Sequence, residues 1–418
     1  MNYIDLFAGA GGLSEGFKKQ GFTPVAHVEI DNAACKTLTT RTAYHYLKEN
    51  NQFDVYESYL KNEIKRDDLY GYIPNELKES IINLGIGEEN NTDIFKRIDL
   101  QLNIKNIDEV DLIVGGPPCQ AYSLVGRARS EHNMKRDPRN FLYVQYANYL
   151  ERYKPKMLVF ENVLGLLSAG SGVYLENMKK LFEKKGYKIK IFKIKAEDYG
   201  VLQKRRRLII IGWHRDMQQP NLPDFEKFNS GIKGLVEDVF NDLPKLQAGN
   251  GIDKYQRYSD VSNEYLDVTS IRNGINVITQ HVARPHTEQD KEIYRIAVSK
   301  WKDSDERLNY NDLPDKLKTH NNRTSFFDRF KVVADNIEAS QTVVAHISKD
   351  GHYYIHPDIE QNRSITIREA ARLQSFPDDF YFEGVKEAAN RTAAFKQIGN
   401  AVPPQMANVI AEEIKEFL

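Results

Sequence analysis

Cys119 closes the run Asp111-Leu112-Ile113-Val114-Gly115-Gly116-Pro117-Pro118-Cys119-Gln120. A short apolar stretch reads as a buried strand, two glycines permit a sharp turn at its end, and two prolines fix the backbone just before the thiol. In open parallel sheets ligands bind beyond the carboxyl ends of the strands, which is where this pattern puts the sulfur. A thiolate there is a nucleophile; a free cysteine packed as a small hydrophobe is the competing reading. A second candidate, Glu161, ends the apolar run Lys156-Met157-Leu158-Val159-Phe160. A carboxylate is costly to bury unpaired, so it should face a cleft, where desolvation favours the protonated form that a proton donor needs. It could instead cap the next turn. Gln203-Lys204-Arg205-Arg206-Arg207 supplies cations whose planar forks suit carbonyl, carboxylate or phosphate groups.

These residues need a sheet to hold them, and the chain supplies alternating strand and helix patterns. Residues 3–7 predict a strand, followed by Gly9, Gly11 and Gly12 and a helix over Leu13–Gln20. A glycine-rich turn before a helix lets a ligand approach the backbone, although this spacing is not the dinucleotide fingerprint. Thr23–Ile30 predicts a second strand with Glu29 at its tip, where an acid can accept hydrogen bonds from ribose hydroxyls. A helix over Asn32–Leu47 then leads into Lys48–Asn91, read as a surface insertion carrying short helices around Tyr56–Ile64 and Leu77–Leu84. Ala121–Arg136, with Gly126 and several basic residues, has the composition of a mobile loop. A helix capped at Asp137-Pro138 runs to Tyr153, a further helix covers Leu175–Lys185, and strands cover Tyr187–Ala196 and Leu208–Trp213. From His214 to about Ser340 the alternation stops. Thr342–His346 and His352–His356 read as a hairpin around Lys349-Asp350-Gly351. Arg363–Phe376 predicts an amphipathic helix linking domains, and Gln405–Phe417 the last helix. His281 and His286 could suggest a metal pair, but Pro285 breaks any shared helical face, and no metal is expected.

Asp5-Leu6-Phe7-Ala8-Gly9-Ala10-Gly11-Gly12, Gly116-Pro117-Pro118-Cys119-Gln120, Glu161-Asn162-Val163, Gln203 to Arg207 and Gln397-Ile398-Gly399-Asn400-Ala401-Val402-Pro403-Pro404 occur in that order. Together they resemble the ordered motif set of the DNA (cytosine-5) methyltransferases of bacterial restriction-modification systems. The resemblance covers residues 1 to about 213 and about 340 to 418. It implies an α/β fold, a Rossmann-like S-adenosylmethionine-dependent methyltransferase sheet, with a smaller, mostly irregular target-recognition domain. The implied division is a catalytic and cofactor-binding domain over 1–213, including the 48–91 insertion, a recognition domain over 214–362, and a return segment over 363–418.

By the same resemblance Cys119 adds to C6 of cytosine, Glu161 protonates or hydrogen-bonds N3, and one or both of Arg205 and Arg207 reach the base near O2. Phe7, Gly9, Gly12, Leu13, Glu29, Ile30, Asp99, Pro118, Leu142, Asn400 and Val402 are implied to hold S-adenosyl-L-methionine, which leaves as S-adenosyl-L-homocysteine. Asp99, in Ile98-Asp99-Leu100, would bond the adenine amino group, and Ile30 stands where many members carry an aromatic residue. Ser123, Arg127, Gln203 and Thr342 are the implied DNA contacts. The implied product is 5-methylcytosine in a specific double-stranded sequence, made from a flipped-out base. A cognate restriction endonuclease would act separately.

Composition sets the remaining bounds. With 418 residues, 41% hydrophobic and 28% charged, the chain can bury a core large enough for two domains. No apolar run approaches the roughly 20 residues of a membrane span, the chain opens directly on a strand pattern, and a cytoplasmic location at the nucleoid with no membrane partner is expected. Two cysteines, Cys35 and Cys119, are too few for a disulfide framework or a four-thiolate zinc site. A net charge of −1 argues against a non-specific polyanion binder, whereas Arg127, Arg129, Lys135, Arg136, Arg139 and Lys204–Arg207 concentrate positive charge locally. A monomer is expected. The alternatives are a tRNA cytosine-5 methyltransferase, whose relatives carry a shorter recognition region, and a catalytically silent DNA-binding protein.

Overall fold

The apolar run before the paired glycines is the middle strand of a seven-stranded sheet. In chain order the strands are β1 (Asn2–Leu6), β2 (Thr23–Val28), β3 (Ile81–Ile82), β4 (Leu112–Gly115), β5 (Met157–Asn162), β6 (Tyr187–Lys195) and β7 (Arg206–His214). They lie side by side as β3-β2-β1-β4-β5-β7-β6. The first five neighbours pair in parallel, and β7 runs antiparallel to both β5 and β6. The computed structural model describes residues 1–117, 141–324, 326–388 and 390–418.

The described helices are α1 (Gly12–Lys19), α2 (Asn32–Glu49), α3 (Phe53–Leu60), α4 (Arg66–Gly71), α5 (Asn75–Glu79), α6 (Glu88–Ile104), α7 (Leu142–Tyr153), α8 (Val173–Lys184), α9 (Glu264–Val268), α10 (Glu288–Ser304), α11 (Ile367–Leu373), α12 (Arg391–Asn400) and α13 (Pro404–Lys415). Strand side chains alternate between two faces, and each face buries its own set of helices. Ile4, Leu6, Ile113, Leu158 and Phe160 pack with Ile94 and Ile98 of α6, Tyr146 and Leu150 of α7, and Phe182 of α8. On the other face Tyr3, Leu112, Val114 and Val159 pack with Phe17 of α1 and Met406, Ile410 and Ile414 of α13. The two ends of the chain thus share one layer. Only glycine fits at position 12, because a Cβ there would lie 2.2 Å from the Val402 carbonyl oxygen.

The insertion is not a surface excursion. Tyr56, Tyr59, Leu60 and Leu69 are fully buried and join Ala43, Tyr44 and Leu47 of α2 to Ile275, Val277 and Tyr381. The Tyr56 hydroxyl donates to the Asp379 carbonyl at 2.6 Å, the Tyr59 hydroxyl to Glu383 at 2.6 Å, and Arg66 to the Gly384 carbonyl at 2.8 Å. It also stops short of Asn91, since β3 lies within the expected range and α6 starts at Glu88.

Other expectations fail for identifiable reasons. Thr342–His356 is not a hairpin: Ala345–Ser348 forms a 3-10 turn, and Ile355 bridges Val332 and Ser364 instead. The helix predicted over Arg363–Phe376 is the shorter α11, and every one of its residues is buried rather than amphipathic. Its charges are satisfied inside: Glu369 binds Arg363 at 2.7 Å, while Arg372 bridges Asp378 at 2.6 Å and Asp242 at 2.5 Å. The region from His214 to Ser340 contains the 17-residue α10, which buries Ile293, Tyr294, Ala297 and Val298, and a short antiparallel pair of β8 (Gly251–Ile252) with β9 (His281–Val282).

Candidate active site

The reversal of β7 builds the site. Because it runs against β5, its first residues lie beside the last residues of β5, with Glu161 opposite Ile209 and Asn162 opposite Leu208. Arg207, at the start of β7, then reaches Glu161 with an Nε-to-Oε1 distance of 2.7 Å, and both side chains keep 14% exposure. The strand end therefore gives Glu161 a cationic partner at a cleft instead of leaving it unpaired. The neighbouring β4 closes against it: a Cβ at Gly116 would lie 2.3 Å from the Glu161 carbonyl oxygen and 2.9 Å from its carboxyl. Asn162 donates to the Pro117 carbonyl at 3.3 Å, fixing the chain two residues before Cys119. Cys119 itself lies outside the described residues, as do Pro118, Ser123 and Arg127.

Arg205 does something different from Arg207. It is fully buried, and its guanidinium donates to the carbonyls of Val343 at 3.0 Å, Gly399 at 3.2 Å and Ala401 at 2.8 Å. Its hydrogen-bonding fork is spent on joining the strand to the return segment, so it does not reach a base. Gln203 is corrected in the same way. It has no exposed surface, donates to the Leu373 carbonyl at 3.1 Å and to Gln374 at 2.5 Å, and accepts from the Val343 N–H at 2.9 Å. It therefore cannot touch DNA. Thr342 stands at the surface, where its hydroxyl donates to the Lys204 carbonyl at 2.5 Å.

At the same carboxyl edge of the sheet, on the strands next to β4, the turn after β1 and the tip of β2 form a second site. The Glu29 carboxyl accepts from the Gly9 N–H and the Asp31 N–H, each at 2.8 Å. Burial raises its pKa, and these backbone donors oppose the rise. Phe7 adopts a left-handed backbone with φ of 58° to enter the turn, Gly9 has no atom within 4 Å of where a side chain would begin, and Leu13 is buried behind it. Ile30 leaves 73% of its surface exposed at the strand tip. From the far end of the chain, the Val402 carbonyl closes on Gly12, while Asn400 is exposed at the end of α12. Leu142 is half-buried at the first position of α7.

Asp99 is corrected. It sits inside α6, not at a strand end, and is bound by Arg152 and by the Tyr153 hydroxyl at 3.1 Å. Ile94, Ile98 and Gln101 are the buried residues around it, a helical spacing that the triplet Ile98-Asp99-Leu100 conceals. The polar residue at the tip of β3 is Asn83, whose amide donates to the carbonyls of Glu29 at 3.1 Å and Ile30 at 3.0 Å. The short apolar pair Ile81-Ile82 was the available signal for it. Asp5 was also missed. It is buried in β1, neither carboxyl oxygen has a partner among the described residues, and burial followed by the charge of Glu29 raises its pKa well above the usual carboxylate range.

Among the described residues no group of three or more His, Cys, Asp or Glu side chains is placed to hold a metal ion. His281 binds Thr366 at 3.0 Å and the Pro244 carbonyl at 2.8 Å, and His286 binds Ser364 at 3.0 Å. None of the described helices is long and apolar enough to cross a membrane.

Comparison with known proteins agrees with this arrangement. The chain is 40% identical to the type II methyltransferase M.Bpa9945I of Bacillus paralicheniformis, covering 100% of this chain and 99% of the relative. It is 31% identical to the type II methyltransferase M.DdeI of Desulfomicrobium norvegicum, covering 100% and 89% respectively. Among solved structures, a prophage-encoded Escherichia coli protein described as a DNA modification methyltransferase has the same fold, with a TM-score of 0.64 at 23% identity and coverage of 100% and 99%. The profile of the C-5 cytosine-specific DNA methylases matches residues 1–74 and 56–416. The chain belongs to that family, which uses S-adenosylmethionine, and is a DNA (cytosine-5-)-methyltransferase of the type II restriction-modification class.

Proposed function

We propose that the protein methylates C5 of a flipped-out cytosine in a specific double-stranded sequence through a covalent bond between Cys119 and C6. The observation that carries this reading is the Glu161–Arg207 pair at 2.7 Å, set beside Gly116 where the chain turns towards Cys119. Cytosine C5 is a poor nucleophile, and addition of a thiolate to C6 makes the ring an enamine whose C5 can attack. Glu161 donates a proton or hydrogen bond to N3, drawing charge out of the ring as the C6 bond forms. Arg207 orients that carboxyl through Nε, one terminal nitrogen donates to the Arg206 carbonyl at 2.8 Å, and the guanidinium keeps a further N–H group that a base carbonyl can accept. After C5 has been alkylated, its proton leaves, the electron pair reforms the double bond and the thiolate is expelled.

S-adenosylmethionine, when bound, supplies the electrophilic methyl group. The turn of Phe7, Gly9, Gly12 and Leu13 fits it: the backbone at Gly9 is open, Glu29 offers acceptors at a strand tip, and Ile30 offers an exposed apolar surface. Asp5 adds a buried acceptor without a partner among the described residues. Asn83, rather than Asp99, stands at the third strand tip. Val402 closes the turn from the return segment, with Pro118, Leu142 and Asn400 completing the proposed lining. Ser123, Arg127 and Thr342 remain the proposed DNA-facing positions. The enzyme acts as a monomer where the DNA is, in the cytoplasm, and a separate endonuclease cuts the unmethylated sequence.

The test is transfer of labelled methyl from S-adenosylmethionine to unmethylated duplex DNA and, in parallel, to bulk tRNA. Label in DNA that vanishes with Cys119→Ser, at an unchanged unfolding midpoint, is the expected result. Full activity of the variant overturns the covalent route, and label in tRNA alone overturns the choice of DNA.

A further inference from the structure

The loop that carries the two arginines also borders a cavity of about 270 Å³ between the catalytic sheet and the region expected to recognise the target. Lys204 and Arg307 line it together with Trp301, Thr342 and an aliphatic wall of Val332 and Ile337. Both cations are exposed, and neither forms an ion pair among the described residues. The cavity is also held in shape. The Lys204 N–H donates to the Ser340 carbonyl at 2.8 Å, and its carbonyl accepts from the Thr342 hydroxyl at 2.5 Å, so the root of the lysine is pinned on both sides. The Trp301 indole N–H donates to Asn336 at 3.2 Å, and Asn336 donates in turn to Asp305 at 3.2 Å, which fixes the ring from outside the cavity.

We propose that this cavity is a DNA-backbone subsite, in which Lys204 and Arg307 grip a phosphate and Trp301 with the aliphatic wall packs against the deoxyribose beside it. The proposal rests on the DNA reading of the active site. Its position favours a phosphodiester over any other anion. Lys204 is three residues from Arg207, so an extended chain separates them by about 10 Å at most. Duplex DNA carries one charge per roughly 1.7 Å of axis, so a duplex whose cytosine reaches Arg207 must bring phosphates past Lys204. A cavity with paired cations at its rim and apolar walls matches a charged group joined to an apolar sugar. The Thr342 hydroxyl proton is already used on the Lys204 carbonyl, so that residue positions Lys204 rather than donating to the phosphate.

Two measurements test the assignment. In the first, binding of a random-sequence duplex is followed across a salt series for the wild type, Lys204→Gln and Arg307→Gln. Each lost phosphate contact should lower the slope of log K against log salt by about 0.9, with several-fold weaker binding at physiological salt. In the second, intrinsic fluorescence is followed as duplex is added. The chain has two tryptophans, of which Trp213 is 6% exposed inside β7. A DNA-dependent emission change should therefore disappear with Trp301→Phe, a substitution that keeps an aromatic wall. Unchanged slopes in both glutamine variants at a wild-type unfolding midpoint overturn the proposal, as does an emission change that survives Trp301→Phe. These outcomes are separable from failure of the underlying reading, because wild type that methylates DNA while both variants keep the full slope removes only the subsite. Wild type that neither binds nor methylates duplex removes the reading itself.

Discussion

Arg205 and Arg207 stand two residues apart and should fail in opposite ways when each is replaced by methionine. Arg205 is fully buried and satisfies the carbonyls of Val343, Gly399 and Ala401. Removing the guanidinium leaves the Val343 and Gly399 carbonyls in the interior without that donor, while the Ala401 carbonyl keeps the Gln374 amide at 2.7 Å, and each unsatisfied group costs about 1–3 kcal/mol. Relief of the desolvation cost of a buried cation offsets part of this, so Arg205→Met should destabilise the fold by about 2 kcal/mol or more. Those carbonyls flank Asn400 and Val402, so the KM for S-adenosylmethionine should rise as well. Arg207→Met breaks the Glu161 pair at the strand ends, where both side chains keep some exposure and water can re-enter. Its stability cost should stay near about 1 kcal/mol, while methyl transfer falls by orders of magnitude because the general acid loses its orientation. Urea unfolding separates the two: the midpoint should drop sharply for Arg205→Met and barely for Arg207→Met. Single-turnover methylation at low temperature should recover in the first variant and stay low in the second. Equal midpoints, or an Arg207 variant that unfolds as early as the Arg205 variant, would refute the division of labour drawn from the geometry.

Glu161→Gln should slow the chemical step far more than it weakens cofactor binding, since glutamine keeps the shape but cannot give up a proton; matched losses in single-turnover rate and S-adenosylmethionine affinity would make the glutamate structural. Acid should destabilise the fold through the buried histidines, two of which flank α11. Burial pushes the pKa of His281 down to about 4 and that of His356 down to about 3, from an ordinary value of about 6.5. Both are thus neutral in the fold, while the unfolded chain takes up protons below about pH 6.5. Their stabilisation is complete above that pH and is lost as pH falls towards the folded values, at about 1.4 kcal/mol per unit for each group. Urea unfolding at about pH 5 should therefore show about 2 kcal/mol less stability per histidine than at about pH 7.5. A flat profile between those two values would contradict it.

The sequence was most readable where local pattern and tertiary environment agree. Strands buried on both faces are mostly apolar, so Leu112–Val114 and Leu158–Phe160 stand out, with Tyr3–Leu6 broken only by Asp5, and the polar or glycine residues that end them mark the cleft. The failures occur where a residue's partner lies far away in the chain. Arg205 and Arg207 are the same residue type in the same run, and only the fold decides that one meets carbonyls near position 400 and the other meets Glu161. Arg368, Glu369 and Arg372 looked like the polar side of an amphipathic helix because their counter-charges, among them Asp242 and Asp378, could not be inferred from spacing. The tyrosines of the insertion looked like surface aromatics because the acceptors that let them be buried belong to residues 379–384. Asp99 failed for a local reason, since three residues cannot distinguish a strand end from one turn of a helix.

The run Gln203–Arg207 explains why one short segment serves both architecture and chemistry. Burial alternates along it, even though the N–H groups of Gln203 and Arg205 turn back on the Val201 and Gln203 carbonyls before β7 begins at Arg206. Gln203 and Arg205 turn inward and bind the return segment, while Lys204 and Arg206 turn outward and are exposed. Arg207 comes next on the inward side, but β5 has reached its end there, so the space it enters is the cleft beside Glu161. Period two alone would make all three inward residues structural. It is the end of a neighbouring strand that converts the third into an active-site group. The same alternation sets Lys204 on the opposite side from Arg205, so its side chain can change without disturbing the buried bonds that hold the segment in place.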